Sequence, residues 1–275
     1  MAETDTPKLT DRPALAAHRT RAAEAPALFL QEAAAEDVQD RLAVVNRRFS
    51  APVVVTAYPD IWAPLFPEAR IVADDEVLDL EEGAHDLVIH ALALHWADDP
   101  VGQIIQCRRA LKPDGLFLGV AFGGRTLTEL RQALGQAEVE VTGGLSPRVA
   151  PMGDIRDLGA LLQRAGLAMP VADALPLNVT YASALHLMRD LRAMGETNAL
   201  ADRLRHFTRR SVLIRAAEVY AEAHGDAEGR VRATYELVTL TGWAPDESQP
   251  KPLRPGSATA SLAEALGTRE TKLKD

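Results

Sequence analysis

Residues 85–122, "HDLVIHALALHWADDPVGQIIQCRRALKPDGLFLGVAF", constrain the fold of this chain more than any other stretch. "HDLVIHALAL" is a continuous apolar run from Leu87, the pattern of a strand covered on both faces. "DDPVGQIIQCRRAL" reads as a helix with Asp99 as its cap, Pro100 at the first helical position, and Val101, Ile104, Ile105 and Leu111 turned inward. "KPDG" is a turn, and "LFLGVAF" is a second buried strand. Strand, helix and strand with such runs make a right-handed parallel crossover, so the fold class is α/β.

The flanking segments extend this unit. Residues 1–25 are rich in Ala and Arg and read as a poorly packed N-terminal arm, helical from about Ala14. "APALFLQEAAAEDVQDRLAVVNRRF" is an amphipathic helix with Leu28, Leu30, Val38, Leu42 and Val45 on a helical stripe. Val53, Val54 and Val55 form a short buried strand, followed by a helix or turn around Trp62 to Phe66 and a second strand near "ARIVADDEV". Thr126 and Glu129 have the spacing of a capping box, opening a helix with Leu127, Leu130 and Leu134 on one face. Asp154 caps a helix that ends at Gly166. "MPVADALPLNVTY" is a strand that Pro176 places at an edge or bend, and "VRATYELVTLTGWA" is the last strand. Between them, about 183–225, lies a helical elaboration. The main domain is thus 26–244, a mostly parallel Rossmann-like sheet with helices on both faces. The polar, Pro-bearing stretch 245–275 is expected to be disordered.

Composition narrows the partners. A net charge of −9 argues against general nucleic-acid binding, and no apolar run reaches the roughly 20 residues of a membrane span. The start, "MAETDTPKLTDRP", has no apolar core of the secretory kind, and the single cysteine, Cys107, excludes an internal disulfide. A reducing, cytoplasmic setting is the default. His186, His206 and His224 are dispersed without metal-ligand spacing, so no metal site is expected.

"HDLVIHALALHWADDP…QIIQCRRALKPDGLFLGVAFGG" resembles the strand-four to strand-five region of class I S-adenosylmethionine-dependent methyltransferases of the type 11-like group. The likeness is closest to the branch of the mitochondrial complex I assembly factor that hydroxylates an arginine. It continues through "TLTELRQALGQAEVEVTGGLSPRVAPMGDIRDLGALLQRAG", "DLRAMGETNA", "ATYELVTLTGW" and "ESQPKPLRPGSATASL", and covers roughly residues 9–262. It implies S-adenosylmethionine as cofactor and a protein partner, a respiratory complex I subunit, which would place the chain in the cytoplasm or peripherally at the inner membrane.

Two departures stand against the family pattern. Members have a Gly-x-Gly turn after the first strand, where backbone N–H groups meet the cofactor carboxylate. Here the turn is Thr56-Ala57-Tyr58-Pro59; proline has no N–H, and Tyr58 adds a ring. Moreover, only 33 positions separate Val53 from Asp86, whereas three strand-and-crossover units need about 50 residues. One unit is missing, the one carrying the acidic residue for the cofactor ribose. Binding of S-adenosylmethionine is accordingly expected to be weak or absent.

By resemblance, the cofactor-binding candidates are Thr56, Ala57, Tyr58, Asp74, Asp75, Leu92, His95 and Trp96. Asp74, Asp75 and Glu76 are equally well read as a solvated turn, whereas for Trp96 a pocket role is favoured over a cap on the core. Candidates facing a substrate or partner are Phe122, Gly123, Gly124, Gly143 and Gly144, together with Glu196-Thr197-Asn198; plain turns would also account for the glycines. His90 reads as a satisfied core histidine and Cys107 as a small buried hydrophobe. Three functions follow: a methyltransferase-type enzyme, a modifier of an arginine on a complex I subunit, or a non-catalytic assembly protein that keeps the fold. A biotin-pathway carboxyl methyltransferase is a weaker alternative, since it shares the strand-four wording alone.

Overall fold

The computed structural model describes residues 8–250 together with 263 and 266–268. Two compact units divide the chain, Met1–Pro245 and Asp246–Asp275. In the second, the Asp246 carboxylate accepts from the backbone N–H and hydroxyl of Ser248. The rest of the stretch expected to be disordered lies almost wholly outside the described residues. The architecture below is that of the first unit.

Two helices lead in, α1 (Arg12–Ala22) and α2 (Phe29–Val45). Then come β1 (Pro52–Val55), α3 (Pro59–Leu65), β2 (Arg70–Val72) and β3 (His85–Ala91). A 3₁₀ turn at Leu94–Trp96 precedes α4 (Pro100–Ala110) and β4 (Leu111–Phe122). After these stand α5 (Thr128–Thr142), α6 (Ile155–Arg164), β5 (Ala168–Tyr181), α7 (Ala184–Ala193), α8 (Arg210–His224) and β6 (Val231–Trp243). The strands form one sheet in the order β2-β1-β3-β4-β6-β5. β2, β1, β3 and β4 are mutually parallel, while β6 runs antiparallel to both β4 and β5.

Alternation along the strands separates two cores, as expected for a sheet buried on both sides. Val54, Leu87, Ile89, Leu118, Val120 and Tyr235 face a layer containing Leu30, Trp62, Leu130, Leu187 and Val212. Val53, Val55, Val88, Phe117 and Leu240 face the opposite layer, with Ile104, Cys107, Leu158 and Leu162. Helices therefore cover both faces, with α7 and α8 between the last two strands, in agreement with the sequence. Pro176 sits in β5, at the edge of the sheet, where its missing N–H leaves no ladder bond unmade.

Three expectations change. The arm is packed where described: Leu15 and Ala22 of α1 are buried, and Thr10 pairs with Leu200. The Lys112–Gly115 turn is absorbed into β4 as an irregularity, with Asp114 at φ 58° and a register shift against β3 between His85 and Leu87. Thr126 and Glu129 make no capping box. Glu129 accepts from the Thr234 hydroxyl at 2.5 Å, and the Thr126 hydroxyl accepts from the Glu236 N–H at 3.0 Å. Both side chains are spent on β6, because Thr126, Glu129 and the β6 groups they meet are buried together and must satisfy one another.

Candidate functional site

All four parallel strands end at one edge, where open α/β sheets take ligands. The ends of β1 and β2 are closed by the protein itself. The Thr56 N–H donates to the Val72 carbonyl at 2.9 Å, and its hydroxyl accepts from the Tyr58 N–H at 3.0 Å. The Tyr58 hydroxyl in turn donates to the Met194 carbonyl. The next residue, Pro59, begins α3 and has no N–H. Burial first, with the nearby Glu196 carboxylate, pushes the Tyr58 hydroxyl well above the usual tyrosine range. Gly195 permits this closure: at φ 71° a Cβ would lie 2.9 Å from the Tyr58 oxygen.

Past β2, Asp74 is buried and taken by α1. One Arg19 nitrogen reaches both its oxygens, at 2.9 and 3.0 Å, and Arg12 lies 3.6 Å away while also donating to the Asp74 carbonyl. Arg12 and Arg19 stand seven residues apart, two turns along one face of the helix. α1 is held there by its cap Asp11, by Leu9 and Thr10 N–H groups donating to Asp98 at 2.8 Å, and by Leu15 among Trp96, Ala199 and Leu200. Asp75 is exposed; its carbonyl accepts from Gln103, whose side-chain oxygen accepts from His90 Nε2 at 2.8 Å.

The ends of β3, β4 and β6 are different. Leu92 is buried at φ 47°, with its N–H on the Val120 carbonyl, so it serves the backbone path. His95 Nε2 and Trp96 Nε1 both donate to one oxygen of Glu196, at 3.2 and 2.7 Å. Burial alone would raise the Glu196 carboxyl; His95, Arg19 and Trp96 outweigh it and hold the group below the usual carboxylate range. Beside it lies a cavity of about 150 Å³ lined by Trp96, Phe122, Leu134, Arg148, Met188, Glu196 and Tyr235 among others. A second, of about 250 Å³, is lined by His95, Phe122, Met152 and Asp157 among others, so Phe122 and Met152 border both.

The candidate residues therefore separate. His95, Trp96 and Phe122 converge on cavities, whereas Thr56, Ala57, Tyr58, Asp74, Asp75 and Leu92 line neither of these two. Gly123 is required by β6, since a Cβ would stand 2.4 Å from a Glu236 oxygen; Gly124 lies against the Met152–Asp154 backbone. Gly143 and Gly144 end α5 and line neither cavity, although Asn198, which does line the first, donates to the Pro147 carbonyl at 2.8 Å in the loop that follows. Arg12, Arg19 and Tyr235 were not foreseen. The seven-residue spacing of the arginines was the only local signal, and it named no partner.

A family model described as a methyltransferase domain matches residues 27–119. The chain is 38% identical over 221 residues to the zebrafish (Danio rerio) protein "Arginine-hydroxylase NDUFAF5, mitochondrial", which covers 80% of this chain and 68% of that one. It is 37% identical over 177 residues to the malonyl-[acyl-carrier protein] O-methyltransferase of Laribacter hongkongensis, covering 64% of this chain and 57% of that enzyme. Among solved structures, a methyltransferase from Bacillus halodurans matches with a TM-score of 0.44 at 12% identity, over 72% of this chain and 93% of that one.

Proposed function

Because this chain belongs to the methyltransferase-domain family of the arginine hydroxylase NDUFAF5, we propose that it acts during assembly on an arginine-bearing segment of a respiratory complex I subunit. The observation that carries this reading is where the sheet edge is open. Space remains at the ends of β3, β4 and β6, beside Phe122, Trp96 and Glu196. The ends of β1 and β2 hold Tyr58 and the Arg19–Asp74 pair instead. A partner segment can address the first region. The second does not fit S-adenosylmethionine: the turn offers neither a bare N–H pair nor a free carboxylate.

A second reading, a partner-binding assembly protein that keeps the fold without catalysis, is favoured by the same Arg19–Asp74 pair, since it occupies a carboxylate that the resemblance assigns to the cofactor. Both readings share the partner. With the intact chain as bait in a lysate of respiring host cells, a complex I subunit or its precursor is expected among the enriched proteins, and a deletion strain should accumulate less complex I. Recovery of unrelated proteins alone, with normal complex I in the deletion strain, would overturn the partner assignment.

A further inference from the structure

The cavity of about 150 Å³ beside Trp96 and Phe122 has polar side chains on its wall, and the protein has already spent nearly all of them. Trp96 Nε1 and His95 Nε2 donate to Glu196, and the charge of Arg19 acts on the same carboxylate. The Tyr235 hydroxyl shares a hydrogen bond with that of Tyr181 at 3.2 Å. Arg148 pairs with Glu138 at 2.6 Å and donates to Thr208 at 2.6 Å. Asn198 donates to the Pro147 carbonyl at 2.8 Å and accepts from the Leu200 N–H at 3.1 Å. Among the described wall side chains, that leaves the Thr197 hydroxyl.

The rest of the wall is hydrocarbon, ring and thioether, with Leu130 and Leu134 from α5 facing Met152, Met188 and Met194. Water is held in a cavity by two to four polar partners, and one hydroxyl does not supply them. A cavity lined in this way stays dry, and a dry apolar cavity of about 150 Å³ takes up benzene. Methionine adapts its shape to a ring and attracts the ring edge, while Trp96 and Phe122 offer edge-to-face contacts. Met152, Met188 and Thr197 are only half-buried, so the cavity is not sealed within the core.

We propose that this cavity is a binding site for one compact, uncharged apolar group the size of a phenyl ring. A polar or charged group is excluded, since it would leave water and find its partners on the wall already taken. The same chemistry is presented by a free hydrocarbon and by a phenylalanine side chain of a polypeptide, and the arms of the test separate these sources. The proposal goes beyond the partner reading above and does not rest on it.

The test is the melting temperature of the full chain, with calorimetry, in the presence of benzene, pyridine and N-acetylphenylalanine methylamide. Benzene should raise the melting temperature by a few degrees and bind at least about tenfold more tightly than pyridine, which has its shape and one acceptor to desolvate. Binding of the phenylalanine amide as well would identify a polypeptide side chain as a source; binding of benzene alone would leave the free hydrocarbon. Met188→Trp fills the cavity from a half-buried position on α7 and should abolish the response to benzene. Met188→Ala enlarges it and should admit naphthalene, which the wild type refuses. No response to benzene or to the amide, equal affinity for pyridine, or naphthalene binding unchanged between the wild type and Met188→Ala would each overturn the site. Any of these results leaves the complex I partner reading standing, because that reading is judged by capture of the subunit and not by hydrocarbon binding.

Discussion

His90 shows at the scale of one residue what burial does to a titratable group. It stands fully buried in β3, donating from Nε2 to Gln103 at 2.8 Å, and its Nδ1 has no partner. Burial chiefly, offset in part by the Gln103 bond, pushes it below the ordinary histidine value of 6.5. The unfolded chain then takes up a proton near 6.5 while the folded chain does so only at lower pH. Between those two values the unfolded state binds more protons, so stability falls as pH falls below about 6.5. His18, also depressed chiefly by burial, adds to the same window. We expect urea unfolding to give a lower free energy at pH 5.5 than at 7.5, and His90→Gln, which keeps a polar partner for Gln103 without a charge, to flatten that slope. An identical slope in the variant would show that His90 is not depressed.

Elements were legible in the sequence wherever their cause is local. The apolar runs of β3 and β4, the helix between them and the caps at Asp99 and Asp154 all depend on residues within a few positions. Asp99 accepts from the Gly102 N–H at 2.8 Å, and Asp154 from those of Arg156 and Asp157 at 2.7 and 2.9 Å. Replacing either by Ala should cost about 1 kcal/mol. Glu129 has the spacing of a cap residue yet ties α5 to β6 through Thr234, more than a hundred positions along the chain. Its replacement by Ala leaves buried donors unmet and should cost about 1–3 kcal/mol. Chemical denaturation of the three variants checks the order; a Glu129→Ala loss below the Asp99→Ala loss would return Thr126 and Glu129 to a capping role. The same limit explains the site. Trp96 and Phe122 are placed by strand ends that the apolar pattern locates. The grip of Arg19 on Asp74 spans 55 positions, and nothing in either neighbourhood states it.

At the scale of the molecule, one shortened stretch changes what the sheet edge can hold. From β1 the chain reaches β2 through α3, and from β2 it reaches β3 through 73–84 with no helix. The sheet therefore ends at β2, which lies directly beside β1, and α1 folds over that end with Arg12 and Arg19 directed at Asp74. An intact cofactor site of this fold gains from turn N–H groups on the cofactor carboxylate and from a protein carboxylate on the ribose hydroxyls. At roughly 1.5–3 kcal/mol for each charge-assisted bond, losing two weakens binding by about two to four powers of ten. A micromolar site would move to the millimolar range, so we expect a dissociation constant for S-adenosylmethionine above about 100 μM, or no binding. Removing the plug should not restore it. In the double variant Arg12→Ala, Arg19→Ala the Asp74 carboxylate is freed, but Pro59 still lacks an N–H and the Tyr58 hydroxyl still donates to the Met194 carbonyl. Calorimetry on both chains, with S-adenosylmethionine and with its demethylated product, separates the cases. A wild-type constant of a few micromolar would show that the Ala57-Tyr58-Pro59 turn cradles the cofactor after all. A micromolar constant in the double variant alone would show that α1 masks a working site.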